Sequence, residues 1–219
     1  MDLYDVMRTT AAVRRFTGDR LPDDVLVRIL DNARFAPSGG NRQGVHVIAI
    51  RDRKIREALA ELSLPGARRY VAQAGNGEGT WNPLLPMGVS QEQVAATEVP
   101  DQMTAPLLTC AVVLVVCVDL AAVAALDQDL DRIGVVAGAS VYPFVWNVLL
   151  AARNEGYGGV LTTMAVAEET RVKDLLGIPA GHAVAAVVPL GKPQHQPKRL
   201  TRKPIAEFVT RERFDGASL

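Results

Sequence analysis

IGVVAGASVYPFVWNVLLAARN, residues 133–154, is the stretch around which we expect the rest of this 219-residue chain to fold. It is apolar almost from end to end, with small residues crowded into its first half and bulky ones into its second. A helix that is hydrophobic on nearly all sides must be buried on nearly all sides. One domain of this size can hardly bury such a helix alone, so the sequence predicts that a second subunit covers part of it.

The same stretch has a second interpretation, a membrane span, because its length is about the 20 residues that a bilayer requires. Gly134 and Gly138 also form the small-xxx-small pair of packed transmembrane helices. Against this interpretation stand Ser140, Pro143 and Asn147 inside the run, and the Lys and Arg residues spread through the rest of the chain. We therefore interpret the stretch as a long core helix at a subunit interface.

The bulk composition is that of an ordinary soluble globular protein, with 48% hydrophobic and 22% charged residues. The 24 basic and 24 acidic residues cancel. A general nucleic-acid-binding or membrane-surface protein would carry a strong basic excess, so we expect neither partner. The length suits a single domain over residues 1–219.

The two cysteines and the start of the chain bear on the cellular compartment. Cys110 and Cys117 lie in one predicted strand, which places them about 23 Å apart on opposite faces, too far to form a disulfide. The acidic first residues contain no apolar signal region. We therefore expect buried thiols in a reducing compartment and a cytoplasmic protein.

Hydrophobic periodicity predicts an alternation of helices and strands without a strict βαβ rhythm. This pattern is typical of the α+β class, here a mixed or antiparallel central sheet flanked by helices on both faces. Besides the core helix, the predicted helices cover residues 3–9, 22–34, 53–62 and 167–176, and the predicted strands residues 45–50, 108–118, 159–163 and 182–190.

Periodicity is lost over residues 65–99, where glycines and prolines rule out one long regular element. An irregular insertion of this length inside a compact domain is usually either functional or disordered. Tyr70, Trp81 and Met87 give it apolar surface that must rest on something. We interpret the insertion as a lid over a substrate pocket, with a mobile surface loop as the alternative.

The chain lacks the motifs of the common metal, hydrolytic and nucleotide sites. His46, His182 and His195 are far apart, and no HxxxH, HExxH or CxxC spacing exists, so we expect no metal site. There is no GxSxG elbow and no P-loop, and the GYGG at residues 156–159 follows a helix rather than a strand. If the protein is an enzyme, a cofactor supplies its reactive group.

Four segments in a fixed order carry a resemblance. Val13-Arg14-Arg15-Phe16 follows the first helix, and APSGGNRQ at residues 36–43 follows an amphipathic helix in the pattern A-P-S-x-x-N-x-Q. The core helix then ends in a glycine before a short strand, and LGIP at residues 176–179 and a late strand precede a basic tail containing Arg202-Lys203-Pro204. No single segment is specific, but their order and spacing resemble the FMN-dependent nitroreductase family.

This resemblance implies a nitroreductase-like three-layer sandwich and a homodimer with two FMN sites at its interface. Arg14 and Arg202, with Arg15 as an adjacent cation, would meet the flavin phosphate, because a buried dianion needs fixed cations. The residues expected from the partner subunit, at the polar edge and ribityl chain of the flavin, are Pro37, Ser38, Gly39 and Asn41. Those expected to line the isoalloxazine ring, with a backbone N–H facing its N5, are Ser140, Pro143, Leu161, Thr162 and Thr163.

The activity that the resemblance implies is NAD(P)H-dependent reduction of nitroaromatic or quinone-type acceptors by ping-pong hydride transfer. The flavin N5 carries the chemistry, so no catalytic side chain is expected. Arg42, Arg68 and Arg69 are candidate contacts for the 2′-phosphate of NADPH, and the sequence does not rank them. Two alternatives stay open: a related reaction such as reductive dehalogenation or flavin destruction, and a degenerate or FMN-sequestering dimer without reductase activity.

The sequence departs from the family pattern in three places. One or two further basic residues and a Ser or Thr normally precede the phosphate arginine, where this chain has Thr10, Ala11 and Ala12. Losing one charge-assisted phosphate contact costs about 1.5–3 kcal/mol, or roughly one to two orders of magnitude in affinity. Gly44-Val45 replaces the usual Pro-Trp, which predicts a more open pocket wall, and Leu200 replaces the first lysine of the tail.

Overall fold

The computed structural model describes residues 1–219 and places four strands in one antiparallel sheet. In chain order the strands are β1 (Val45–Ile50), β2 (Val112–Asp119), β3 (Gly158–Gly159) and β4 (His182–Gly191). Their order across the sheet is β1-β2-β4-β3. All but the last residue of β2 is buried, because this strand is covered on both faces and has neighbours on both sides.

Seven α-helices cover the sheet: α1 (Leu3–Thr9), α2 (Asp23–Ala33), α3 (Arg53–Gly75), α4 (Gln91–Ala96), α5 (Ala105–Thr109), α6 (Tyr142–Asn154) and α7 (Glu169–Leu176). Alternate residues of β2 enter two separate cores, since successive side chains of a strand point to opposite faces. Leu114 and Val116 pack with α2 and α6, whereas Val113 and Val115 pack with α3 and α7. The predicted α+β class and the three-layer sandwich are confirmed, and the sheet is antiparallel throughout.

The central stretch of the sequence is not one helix, and this part of the prediction is wrong. Its second half is α6, but Val136–Ser140 form a 3-10 turn, and residues 133–135 are exposed and not helical. Pro143 explains where α6 starts, because proline lacks an N–H and is tolerated only in the first helical turn. No helix of the structure is both long enough and apolar enough to cross a bilayer.

Helix α6 packs as predicted on one side only. Val145 and Val148 are fully buried in the core shared with α2. Tyr142 and Trp146 on another side remain 44% and 42% exposed. The helix thus has one side in the core and an aromatic side that the chain itself covers only in part.

Helix α3 is longer than the sequence predicts, because it continues through Pro65 to Gly75. We predicted that regular structure ends at residue 65. This prediction is wrong for residues 66–75, which are helical, whereas residues 76–90 are irregular. A proline inside a helix costs about 3 kcal/mol or more. The buried side chains of Leu59 and Leu62, together with Ala67, hold the helix against the sheet and offset that cost.

Both cysteines are buried and free, as predicted, but they share one core. Cys110 follows α5 and precedes β2, so the prediction that it lies in the same strand as Cys117 and on the opposite face is wrong. Burial raises the pKa of each thiol to about 11. Neither is therefore a reactive thiolate at neutral pH.

A single buried carboxylate fastens the loop between β2 and α6. Asp127 is 4% exposed. Its Oδ2 accepts hydrogen bonds from the backbone N–H groups of Val135 (2.7 Å) and Val136 (3.2 Å) and from Nη1 of Arg132 (2.8 Å). These bonds, the one from Val135 foremost, lower the pKa of Asp127 to about 2.

We expect protonation of Asp127 to destabilise the protein in acid. Because the pKa of this group is lower in the folded than in the unfolded chain, its stabilisation is present above about pH 4 and is lost as the pH falls towards about 2. Asp127→Asn should lower the thermal midpoint at neutral pH and flatten its dependence on pH in this window, as followed by circular dichroism. Asp129→Asn, an exposed neighbour on the same loop, is the control, and an unchanged acid slope in Asp127→Asn would contradict the assignment.

Gly66 is expected to tolerate no side chain, because a Cβ there would collide with the backbone carbonyl of Met164. Gly66→Ala should lower the free energy of unfolding by about 1–3 kcal/mol, the usual cost of overpacking. Gly75→Ala in the same helix meets open space and should be neutral or stabilising by up to about 1 kcal/mol. Urea denaturation of the two variants tests this; equal stabilities would rule out the close approach.

Candidate functional site

The segment after α1 runs along the edge of the sheet and presents Arg14. The N–H of Val13 donates to the carbonyl of Gly159 (2.9 Å), and Val13 and Phe16 are buried, which leaves Arg14 on the surface. A Cβ on Gly158 would lie 2.7 Å from the Val13 side chain. The missing side chain of Gly158 therefore allows this close approach.

A cleft of about 670 Å³, which we name the arginine cleft, lies between this segment, α6 and the tail. Arg14 and Arg202 line it, so the structure brings together two predicted phosphate contacts from opposite ends of the chain. None of its lining residues is acidic, and the two positive charges therefore favour an anionic group. The remaining lining residues are Thr10, Ala11, Ala12, Tyr142, Trp146, Leu149, Val160, Leu161 and Leu200.

A second cleft of about 230 Å³, the threonine cleft, adjoins the first and shares Arg14, Val160 and Leu161 with it. Thr162 pairs with Val187 through two hydrogen bonds of 2.9 Å, which extend the sheet beyond β3. The N–H groups of Leu161 and Thr163 donate to no atom of the chain, because successive amides of an extended strand point to opposite edges. The other lining residues are Thr162, Thr163, Tyr70, Gln102, Met103, Pro106, Leu107, Met164 and Pro189.

A third cleft of about 400 Å³, the tryptophan cleft, shares Tyr70, Thr163 and Met164 with the threonine cleft. Trp81, from the irregular segment after α3, lines it together with Thr80, Val166 and Ala167. The three clefts therefore adjoin one another in a row from Arg202 to Trp81, and we name this row the groove. Met87, which we expected in a lid with Tyr70 and Trp81, lines none of them.

The glycine-rich turn after α2 lies apart from this groove within the chain. Pro37, Ser38 and Ser140 line a separate cavity of about 230 Å³. The N–H of Gly39 donates to Oγ of Ser140 (3.1 Å), so Ser140 lies with the turn, and it lines none of the three clefts. Asn41 belongs to the same turn and has a left-handed backbone, with φ of 53°.

Two further predicted site residues line none of the clefts. Arg15 is exposed, and its carbonyl accepts a hydrogen bond from the N–H of Gln194 (3.0 Å). Pro143 is half-buried at the start of α6. Within one chain, then, the predicted site residues divide between the groove and the glycine-rich turn.

The sequence predictions missed the wall that α6 contributes to the arginine cleft. Tyr142, Trp146 and Leu149 line it and are spaced at i, i+4 and i+7, which places them on one face of a helix. This second apolar stripe was visible in the sequence. The bulky apolar residues of the stretch were assigned to the core or to a subunit interface, so they were not predicted to line a cleft.

Known proteins share this sequence pattern and this fold. The Nitroreductase family model matches residues 7–192. An NADH dehydrogenase of Thermus thermophilus is 25% identical over 206 residues, which cover 90% of each chain. This is a distant relationship, and it extends over almost the whole length of both proteins.

Two solved structures show the likeness of the fold. Oxidised iodotyrosine deiodinase bound to FMN and 3-iodo-L-tyrosine has a TM-score of 0.71 at 21% identity, over 97% of this chain and 100% of that one. NADPH:FMN oxidoreductase of Vibrio harveyi, complexed with NAD+, has a TM-score of 0.69 at 19% identity, over 99% and 79%. With the family match over most of its length, and in agreement with the resemblance seen in its sequence, the chain belongs to the nitroreductase family of oxidoreductases.

Proposed function

We propose that the protein binds FMN in the groove, oxidises NADH or NADPH, and reduces a small electron acceptor of the nitroaromatic or quinone type. The observation that carries this proposal is the order of the three adjoining clefts, with two arginines at one end, free backbone N–H groups in the middle and an apolar cleft at the other end. Bound FMN would supply hydride transfer from the nicotinamide to the acceptor in a ping-pong cycle, with Arg14 and Arg202 at its phosphate.

The residues at the arginine end fit a phosphate. Arg14 and Arg202 are cations that no lining carboxylate neutralises, and guanidinium groups bind phosphate oxygens through paired hydrogen bonds. Thr10 adds little, since its hydroxyl already donates to the carbonyl of Val6 (2.7 Å). The volume of about 670 Å³ lies within the usual range of ligand pockets, roughly 300–1,000 Å³.

The residues of the threonine cleft fit the polar edge of a flat ring. The unpaired N–H groups of Leu161 and Thr163 would donate to it, and Val160, Pro106 and Leu107 exclude water from its faces. Apart from Arg14, the only titratable side chain lining this cleft is Tyr70. Protons needed by the reduced acceptor therefore come from solvent or from this phenol.

A homodimer is part of the proposal. Tyr142 and Trp146 on α6 are exposed, and so are Ile133 and Val135 earlier in the same stretch. Clustered apolar side chains on a surface indicate an interaction site. A second copy seated there would bring its own glycine-rich turn to the groove, which explains why the turn lies apart from the groove within one chain.

The purified protein should show the visible absorption spectrum of bound flavin. Anaerobic NADPH or NADH is expected to bleach it, and a nitroaromatic compound or a quinone to restore it. A spectrum that neither nicotinamide bleaches would favour an FMN-sequestering protein. Absence of flavin even after soaking with FMN would contradict the proposal and favour a degenerate relative.

Arg202→Gln should weaken FMN binding by about 10- to 100-fold, because one of two cations at the phosphate end is lost. Titration of the apoprotein, followed by quenching of flavin fluorescence, measures the dissociation constant. Riboflavin, which lacks the phosphate, serves as the matched ligand and should bind the variant and the natural protein equally. The control variant is Lys203→Gln, next in the chain and outside the clefts; an equal loss for FMN and riboflavin would sink the phosphate assignment.

A further inference from the structure

The tail after β4 runs antiparallel to the segment that follows α1. The N–H of Thr17 donates to the carbonyl of Lys192 (2.9 Å). Gln194 then donates twice, from its backbone N–H to the carbonyl of Arg15 (3.0 Å) and from its Nε2 to the carbonyl of Phe16 (2.9 Å). The first residues of the tail are therefore fixed to the same segment that presents one arginine of the arginine cleft.

Gln196 makes the last hydrogen bond between the tail and the rest of the chain. Its Nε2 donates to the carbonyl of Thr9 (2.7 Å), the last residue of α1, where helix carbonyls have no partner within the helix. The next residue, Thr10, lines the arginine cleft, so this bond lies at the border of the cleft. From residue 197 onward, every hydrogen bond and the one ion pair join two residues of the same terminal segment.

The two arginines of the cleft are therefore held differently. Arg14 belongs to a segment that is hydrogen-bonded to β3. Arg202 lies six residues beyond Gln196 and donates to the carbonyl of the preceding residue (2.8 Å). Leu200, which is half-buried, is the one other tail residue that lines the cleft. Six extended residues span about 20 Å at most, so the point at which the tail leaves α1 limits where Arg202 can lie.

Resting on the proposed function, we propose that Gln196 is a positioning residue for the flavin phosphate. By fixing the tail to the end of α1, it holds Arg202 at the arginine cleft, where Arg202 and Arg14 together bind a dianion. The apparent affinity of a ligand falls with the fraction of molecules that occupy the binding-competent position. Gln196 therefore sets how strongly the protein prefers FMN to riboflavin, which has the same ring system and no phosphate.

Gln196→Met keeps the length of the side chain and removes the donor. Loss of this one hydrogen bond should weaken FMN binding by about 2- to 10-fold and leave riboflavin binding unchanged. Fluorescence titration of the apoprotein measures both dissociation constants. The matched control is His195→Met, the same replacement at the exposed neighbouring position, which should change neither constant at about pH 8, where a histidine is uncharged.

A double-mutant cycle separates positioning from a purely structural role. A residue that only capped α1 would lower the thermal midpoint and affect the two flavins alike. If Gln196 acts through Arg202, Gln196→Met should cost no further FMN affinity in a protein that already carries Arg202→Gln. Two independent contributions would instead add.

Limited proteolysis tests the anchor without any ligand. Trypsin cleaves after lysine and arginine, and Lys198 and Arg199 lie in exposed positions just beyond Gln196. Because cleavage follows the population of the released tail, the apoprotein with Gln196→Met should lose its tail about 2- to 10-fold faster than the natural protein. Mass spectrometry of the fragments measures this rate. FMN should slow the cleavage of the natural protein, and riboflavin should not.

Three results would overturn the inference: a Gln196→Met variant that keeps the natural preference for FMN over riboflavin, full additivity in the cycle, or tail cleavage at the natural rate. Failure of the proposed function is distinguishable, because it appears in the natural protein. Equal affinity of the natural protein for FMN and riboflavin would remove the phosphate site and the inference together. A bound flavin that neither NADPH nor NADH bleaches would contradict the reductase activity and leave the binding comparison intact.

Discussion

The burial of β2 on both faces is the constraint on which the rest of the structure depends. Its side chains enter two cores in alternation, so helices must cover both sides of the sheet and neighbouring strands must pair with both of its edges. Burial of apolar surface stabilises the folded state by roughly 25 cal/mol per Å². Because both faces of β2 are apolar, the absence of either helical layer would remove this stabilisation from one face of the strand. The centre of the sheet is therefore filled, and a ligand groove can form only at its margin.

The groove forms where the regular sheet ends. β3 has only two residues, both glycine, and the missing side chain of Gly158 lets Val13, in the segment that carries Arg14, lie directly against it. Beyond β3, Thr162 still pairs with β4, but its neighbours Leu161 and Thr163 do not, so their backbone amides are free. The close approach of the Val13 segment and the unpaired amides of Leu161 and Thr163 have the same cause. Regular strand structure is lost at this edge of an otherwise complete sheet.

Sequence periodicity predicted elements well where local pattern and packing agree. α1, α2, β1 and β4 lie close to their predicted positions, because their apolar residues recur with the period of the structure they form. α3 continues past Pro65 because buried contacts further along the helix outweigh the lost hydrogen bond. α6 starts later than predicted because apolar character alone does not distinguish a helix from a tight turn packed on another loop.

The sequence by itself determined the α+β class, the positions of most helices and strands, and a resemblance to the nitroreductase family that the family match confirms, because these depend on local composition, period and motif order. The resemblance also implied that Arg14 and Arg202 share a ligand, and the two residues line one cleft. Only the tertiary structure decided that Ser140 lies with Gly39 and that Arg69 stacks on Trp81. These contacts join residues from separate parts of the chain. Their distances are set by how the layers pack, and no local pattern of residues encodes them.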